Sequence, residues 1–214
     1  LGPVRNVPGS LHRLIHLTAE KYQIDYVFID VSPSLGALNQ NIVATSNRLI
    51  VPLCPDLFSG QAIDTLSRTL PKWIDWAKRA SQLDILKDAD YPFPEPSLKF
   101  TGYIIQRYKL RNNEPTQAFS EFFDDLELRI NDKLIPTLAK SGLIEDTTLS
   151  AEDFLLAQIP EFNTLIAASQ GTGKPVFALS QADTGHSGTV WDNDKRKIDE
   201  LDDLFNDFTR RVIS

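Results

Sequence analysis

The sequence predicts an α/β protein with three layers, a mostly parallel sheet flanked by helices. Short, wholly apolar runs rich in β-branched and aromatic residues alternate with amphipathic segments of three- and four-residue spacing. Strands apolar on both faces belong to a sheet covered on both sides, and alternation with helices makes such a sheet parallel. Size agrees: 214 residues, 42% of them hydrophobic, suffice for a single domain over 1–214 with its own core.

In chain order, Ser10 reads as the cap of a helix that carries Leu11, Leu14, Ile15, Thr18 and Tyr22 on one face. Tyr26-Val27-Phe28-Ile29, bounded by Asp25 and Asp30, reads as a strand buried on both faces. A helix from about Leu38 to Ser46 leads to a second strand, Leu49–Leu53. Ala62, Ile63, Leu66, Leu70, Trp73, Ile74 and Ala77 mark a helix from about Gly60 to Ser81, which Pro71 is expected to kink or divide. Residues 84–99, with Pro92, Pro94 and Pro96, form a Pro-rich surface loop ahead of a third strand, Phe100–Ile105. Ala118, Phe119, Phe122, Leu126 and Ile130 mark another helix, extended by Leu134, Ile135 and Leu138 past a break at Pro136. Leu155–Ile159 is the fourth strand. Residues 181–193 read as a flexible connection to a C-terminal helix over 194–213, whose stripe is Ile198, Leu201, Leu204, Phe205, Phe208 and Val212.

Composition excludes disorder and collagen-like architecture. No apolar run approaches the about 20 residues of a membrane span, and the N-terminus has no secretory h-region, so a cytoplasmic protein is expected. The single Cys54 cannot form an internal disulfide and reads as a small buried hydrophobe. The chain has no methionine and starts at Leu1, so coding sequence upstream of Leu1 is expected.

In open α/β sheets ligands collect beyond the carboxyl ends of the strands. Ile29 is followed there by Asp30 and the turn Val31-Ser32-Pro33-Ser34-Leu35-Gly36. A carboxylate at a strand tip suits Mg²⁺ held near phosphates, and equally the capping of the next turn or helix. His12 and His16 share a helix face, but no third metal ligand can be named.

The segment Asp25 to Leu38, then Asn41, Leu49-Ile50-Val51-Pro52 and Pro55-Asp56-Leu57-Phe58-Ser59, resembles the ParA/MinD family of deviant Walker ATPases in order and spacing. Gly102 to Tyr108, Ile159-Pro160-Glu161 and Gly173-Lys174-Pro175-Val176-Phe177 extend the resemblance to Phe177. It implies the P-loop NTPase fold of the SIMIBI type, without the N-terminal strand and phosphate loop. It makes Asp30 the Walker B or switch II aspartate, reaching Mg²⁺ directly or through water. Pro33 and Ser34 fall in switch II, and Asn41 matches an asparagine on the helix that follows. Gln106 and Arg107 sit where the family has Asn-Arg near the adenine, and Pro160 where backbone contacts to the base arise. Implied cofactors of the complete protein are ATP and Mg²⁺.

Two departures stand out. Gln106 replaces the usual asparagine, though its amide offers the same donor and acceptor. No segment matches the family's phosphate loop: Gly171-Thr172-Gly173-Lys174 would need glycine at Ala168, has Pro175 in place of the magnesium-binding hydroxyl, and follows a helix where a strand is required. Its simpler reading is a helix ending at glycine. Backbone amides and lysine charge supply most of the stabilisation in phosphoryl transfer, so this polypeptide alone is expected to show little ATPase activity.

The resemblance implies an ATP-bound homodimer, nonspecific DNA and a stimulating partner protein. In the last helix Lys195, Arg196, Lys197, Arg210 and Arg211 are offset by Asp199, Glu200, Asp202, Asp203 and Asp207, which disfavours a membrane-anchoring role. Net charge −7 opposes general attraction to DNA, and Arg107-Tyr108-Lys109-Leu110-Arg111 is the densest basic stretch. Three classes stay open: the C-terminal part of a ParA-like ATPase that partitions DNA or positions cargo, a non-catalytic ParA-like interaction module, and an unrelated enzyme using Asp30 and Asp56.

Overall fold

The computed structural model describes residues 4–32, 34–111, 114–115, 117–162 and 164–213. Its helices and strands, in order, are α1 (Val7–Tyr22), α2 (Ala37–Thr45), β1 (Arg48–Leu53), α3 (Leu57–Ser81), α4 (Asp84–Lys87), β2 (Lys99–Gln106), β3 (Leu110–Arg111) and β4 (Glu114–Pro115). There follow α5 (Gln117–Arg129), α6 (Ile135–Lys140), α7 (Ala151–Phe154), β5 (Leu155–Ile159), α8 (Thr164–Thr172), α9 (Gln181–Thr184) and α10 (Gly188–Ile213). A π-helical turn, Ile130–Leu134, joins α5 to α6, and Pro136 lies in the first turn of α6.

The fold is α/β, with a three-stranded parallel sheet in the order β1-β2-β5 among flanking helices. In the β2–β5 ladder Tyr103 faces Leu155, Ile104 faces Ala157 and Gln106 faces Ile159, with an irregularity between Tyr103 and Ile104. Gly102, at φ +150°, lies where an added Cβ would stand 2.3 Å from the Phe154 carbonyl oxygen. Only glycine lets the strands approach this closely.

The chain divides into two compact, interleaved units, 1–50 with 61–101 and 128–150, and 51–60 with 102–127 and 151–214. In the first, Ile63, Leu70 and Ile74 of α3 are buried, as are Ile130, Leu134 and Leu138. Asp64 of α3 binds the Arg129 guanidinium at 2.6 Å and the Lys133 ammonium at 2.7 Å. In the second, Leu165, Val176, Leu179, Ile198 and Leu201 form a core against which Phe162, Trp191 and Phe205 pack. The α10 stripe is thus spent on packing, and Arg211 donates to the Leu155 carbonyl at 2.8 Å.

Several expectations are corrected. Tyr26-Val27-Phe28-Ile29 is not a strand: these side chains are 59%, 47%, 78% and 38% exposed, and the run has no regular secondary structure. A strand needs a neighbour for its backbone and cover for its faces, and among the described residues nothing pairs with this one. Ser10 does not cap α1, which starts three residues earlier; its hydroxyl donates to the Val7 carbonyl at 2.8 Å. Much of the predicted apolar face, Leu14 and Tyr22 included, is exposed. Pro71 does not divide α3. The Pro-rich segment contains α4 and buries Ala89, Phe93 and Leu98, with the Trp76 ring edge-on to Phe93 at 5.4 Å. Residues 181–193 hold α9, closed by a Ser180–Asp183 capping box, and the start of α10, so the final helix begins at Gly188 rather than 194.

Candidate functional site at the carboxyl ends of the strands

The predicted site residues fall into two groups, one in each unit. In the first unit Asp30 is exposed in the irregular segment ahead of α2. It does not cap that helix, because Gly36 occupies the N-cap position. Ser34 is also exposed, and Pro33 lies outside the described residues.

The segment around Ser34 is held from α2 by a residue the sequence reading passed over. Asn39 is buried, and its amide nitrogen donates to the carbonyls of both Ser32 and Ser34, the latter at 2.8 Å. The Ser34 hydroxyl lies 3.3 Å from the same nitrogen. One side chain thus pins two successive polar residues of the predicted switch segment. An Asn on the first turn of a helix after a Ser-Pro-Ser-Leu-Gly turn was the available signal. Asn41, by contrast, gives its amide nitrogen to the Pro8 carbonyl at 2.8 Å, and its buried Oδ1 has no partner among the described residues.

In the second unit Gln106, Arg107 and Pro160 are brought together. Gln106 ends β2 opposite Ile159, and the Arg107 N–H donates to the Ile159 carbonyl at 3.1 Å. The Glu161 N–H returns to the Tyr108 carbonyl at 2.9 Å, so the two chain segments stay side by side past the end of the ladder. Tyr108 anchors this margin: it is buried, its ring meets Phe123 edge-on at 5.2 Å, and burial raises its phenol pKa. Arg107 has φ +62°, a left-handed conformation costing roughly 1 kcal/mol or more in a non-glycine residue. That strain turns the chain sharply at the strand end.

At the end of β1 Asp56 caps α3, its Oδ1 accepting the Ser59 N–H at 2.7 Å, while the Ser59 hydroxyl accepts the Cys54 N–H at 2.9 Å. Burial first, and then the Asp56 carboxylate, raise the Cys54 thiol pKa, against a smaller lowering by Arg107. Asp56, just past the end of β1, is therefore committed to a structural bond.

For Mg²⁺, an exposed aspartate is a fitting protein ligand, since this ion takes one or two carboxylates and completes its shell with water and phosphate. No cluster of three or more His, Cys, Asp or Glu side chains suited to a metal occurs among the described residues. For ATP, Gln106, Arg107 and Pro160 place an amide, a guanidinium-bearing residue and backbone groups at neighbouring strand ends. The phosphates have no cradle among the described residues. Gly173 is the left-handed terminus of α8 at φ +66°, and the Lys174 ammonium is held by both oxygens of Asp183 at 2.8 Å. Those bonds, with the Ser180 hydroxyl and N–H, hold the Asp183 carboxyl well below the usual range.

A parallel sheet among flanking helices is consistent with an α/β fold of the P-loop NTPase-like kind. Residues 9–85 match the model of a family described as AAA domain, the ParA/MinD type of P-loop domain. Over 168 residues, 78% of this chain, it is 23% identical to the uncharacterized protein MJECL24 of Methanocaldococcus jannaschii, covering 48% of that protein. Over 114 residues, 53% of this chain, it is 23% identical to the chromosome partitioning protein ParA of Myxococcus xanthus, covering 34% of it. The chain is thus similar to ParA-like proteins, and it spans about half the length of the first relative and a third of the second. No solved structure matches it. Among the described residues no helix is long and apolar enough to cross a membrane.

Proposed function

We propose that this chain is the C-terminal part of a ParA-like ATPase, an ATP-dependent dimerisation switch that partitions DNA or positions a cargo. The observation that carries the reading is the junction of Gln106, Arg107 and Pro160 at neighbouring strand ends, in a chain similar to ParA-like proteins. In this reading Gln106, Arg107 and the Pro160 backbone receive the base, and Asp30 holds Mg²⁺. Ser34 and Pro33 sense the γ-phosphate beside Asn41. ATP, Mg²⁺, a homodimer, nonspecific DNA, a stimulating partner and a cytoplasmic location all follow from this reading.

The test is Asp30→Ala in the complete protein. Hydrolysis is expected to disappear with the fold intact, and retained turnover would reject the assignment. A second reading is a ParA-like interaction module without hydrolysis. Sequencing the coding DNA ahead of Leu1 separates the two: an in-frame lysine- and glycine-rich loop supports the ATPase, and a reading frame that opens near Leu1 supports the module.

A further inference from the structure

Helix α1 carries two of the chain's three histidines, and the nucleotide reading uses neither. His12 and His16 are one helical turn apart, so both imidazoles project from the same face. Their rings lie nearly parallel, with centroids 6.0 Å apart. His12 is half-buried and His16 exposed, so both can be reached from solvent. Among the described residues His12 makes no side-chain hydrogen bond, and His16 uses only Nε2, which lies 3.3 Å from the Glu20 carboxylate. A carboxylate at one imidazole nitrogen fixes the N–H there and leaves the lone pair on the other, which is how metal-ligating histidines are commonly oriented. At His16 that free nitrogen is Nδ1.

Burial first, and then the neighbouring His16, hold the His12 pKa below its usual value, which keeps its lone pair available near neutral pH. Neutral imidazole suits Cu²⁺, Ni²⁺ and Zn²⁺, whereas Mg²⁺ takes oxygen ligands. Distances agree. With metal–nitrogen bonds of about 2.0–2.1 Å each ring centroid lies roughly 3.2 Å from the ion, so two imidazoles on a tetrahedral ion stand about 5 Å apart. The observed 6.0 Å reaches that value by rotation of the two side chains, with no movement of the helix. We propose that His12 and His16 form a two-imidazole site for a divalent transition-metal ion, with water completing its shell. No cluster of three ligating side chains stands there among the described residues, so the bound ion stays open to solvent and exchanges freely. The site differs in ligand chemistry from the Mg²⁺ assigned to Asp30, and it stands or falls independently of that assignment.

The test is titration of the full, untagged chain with zinc chloride at about pH 7.5, where imidazole is mostly neutral, read by the imidazole NMR signals. His186, whose Nδ1 lies 2.6 Å from Asp194, is the internal reference. Zinc is expected to shift His12 and His16 together and saturably below about 1 mM while His186 stays in place. Copper sulfate should displace the zinc at lower concentration, and magnesium chloride should move neither signal. His16 is exposed, so His16→Gln keeps the fold, and it should weaken zinc by about tenfold or more with an unchanged circular dichroism spectrum. No saturable shift up to about 2 mM zinc, a shift confined to one of the two imidazoles, magnesium binding as tightly as zinc, or an unaltered affinity in His16→Gln would each overturn the proposal.

Discussion

Asn39→Asp isolates the clamp on the predicted switch segment, because it keeps the size and shape of the side chain and removes only its donors. The amide nitrogen of Asn39 serves the carbonyls of Ser32 and Ser34 from a buried position. Losing two hydrogen bonds costs about 2 kcal/mol at roughly 1 kcal/mol each. Facing an ionised carboxyl towards two carbonyl oxygens adds at least about 1 kcal/mol, for a total near 3 kcal/mol at pH 7 against the about 5–15 kcal/mol of a whole domain. Burial and the carbonyl dipoles raise the folded pKa of the introduced carboxyl above its unfolded value of about 3.9. Its protonated form donates one bond, so the variant recovers stability as pH falls below that folded pKa and loses it as pH rises through it. Urea unfolding of both proteins should therefore show a gap of about 3 kcal/mol at pH 7 that narrows to about 1 kcal/mol near pH 4. Amide exchange over residues 30–36 should quicken in the variant. A gap under about 0.5 kcal/mol at pH 7, or one that does not change with pH, would refute the clamp.

Three further perturbations test the fold around the site. Phe28→Ala should alter the stability of this chain by less than about 0.5 kcal/mol, since the ring is 78% exposed; a loss of about 3–5 kcal/mol in urea would show instead that the run is buried. Gly102→Ala places a Cβ 2.3 Å from the Phe154 oxygen and 2.8 Å from Leu156 Cγ at positive φ, so the thermal midpoint should fall by an amount equivalent to about 2–4 kcal/mol, and an unchanged midpoint would contradict the close β2–β5 approach. Asp64→Asn removes a carboxyl held below its usual pKa chiefly by the Lys133 hydrogen bond; its contribution is present above the unfolded carboxylate pKa and lost as pH falls through the folded one. The variant should be about 0.5–1 kcal/mol less stable at pH 7, with the gap closing as pH falls through the folded pKa, and a gap persisting in strong acid would rule out the ion pairs as its origin.

Much of the fold was legible because its signals are local. The apolar runs at 49–53, 100–105 and 155–159 are strands, and the spacings along α3, α5 and α10 place Ile63, Leu126 and Ile198 in the interior. The glycine and proline around Lys174 marked a helix end, and the structure agrees, with the lysine tied to Asp183. Side-chain periodicity survives in any context that buries one face. Within the candidate site, the adjacency of Gln106, Arg107 and Pro160 follows from two parallel strands in register, which a strand assignment anticipates.

What the tertiary structure alone decided is which segments find partners. Tyr26–Ile29 has the same local signature as the three true strands, but pairing is a non-local property, and among the described residues it has no neighbour. Residues 181–193 read as flexible because glycine and serine punctuate them; the Ser180–Asp183 box and the packing of Trp191 against the α8–α10 core make them helical. Asn39 illustrates the same limit from the other side. An asparagine just inside a helix after a turn is only a weak signal in sequence, and its role as a clamp exists because the chain folds two carbonyls from an earlier turn into reach of its amide. Composition and periodicity specify what a segment can become, and the geometry of its partners determines what it is.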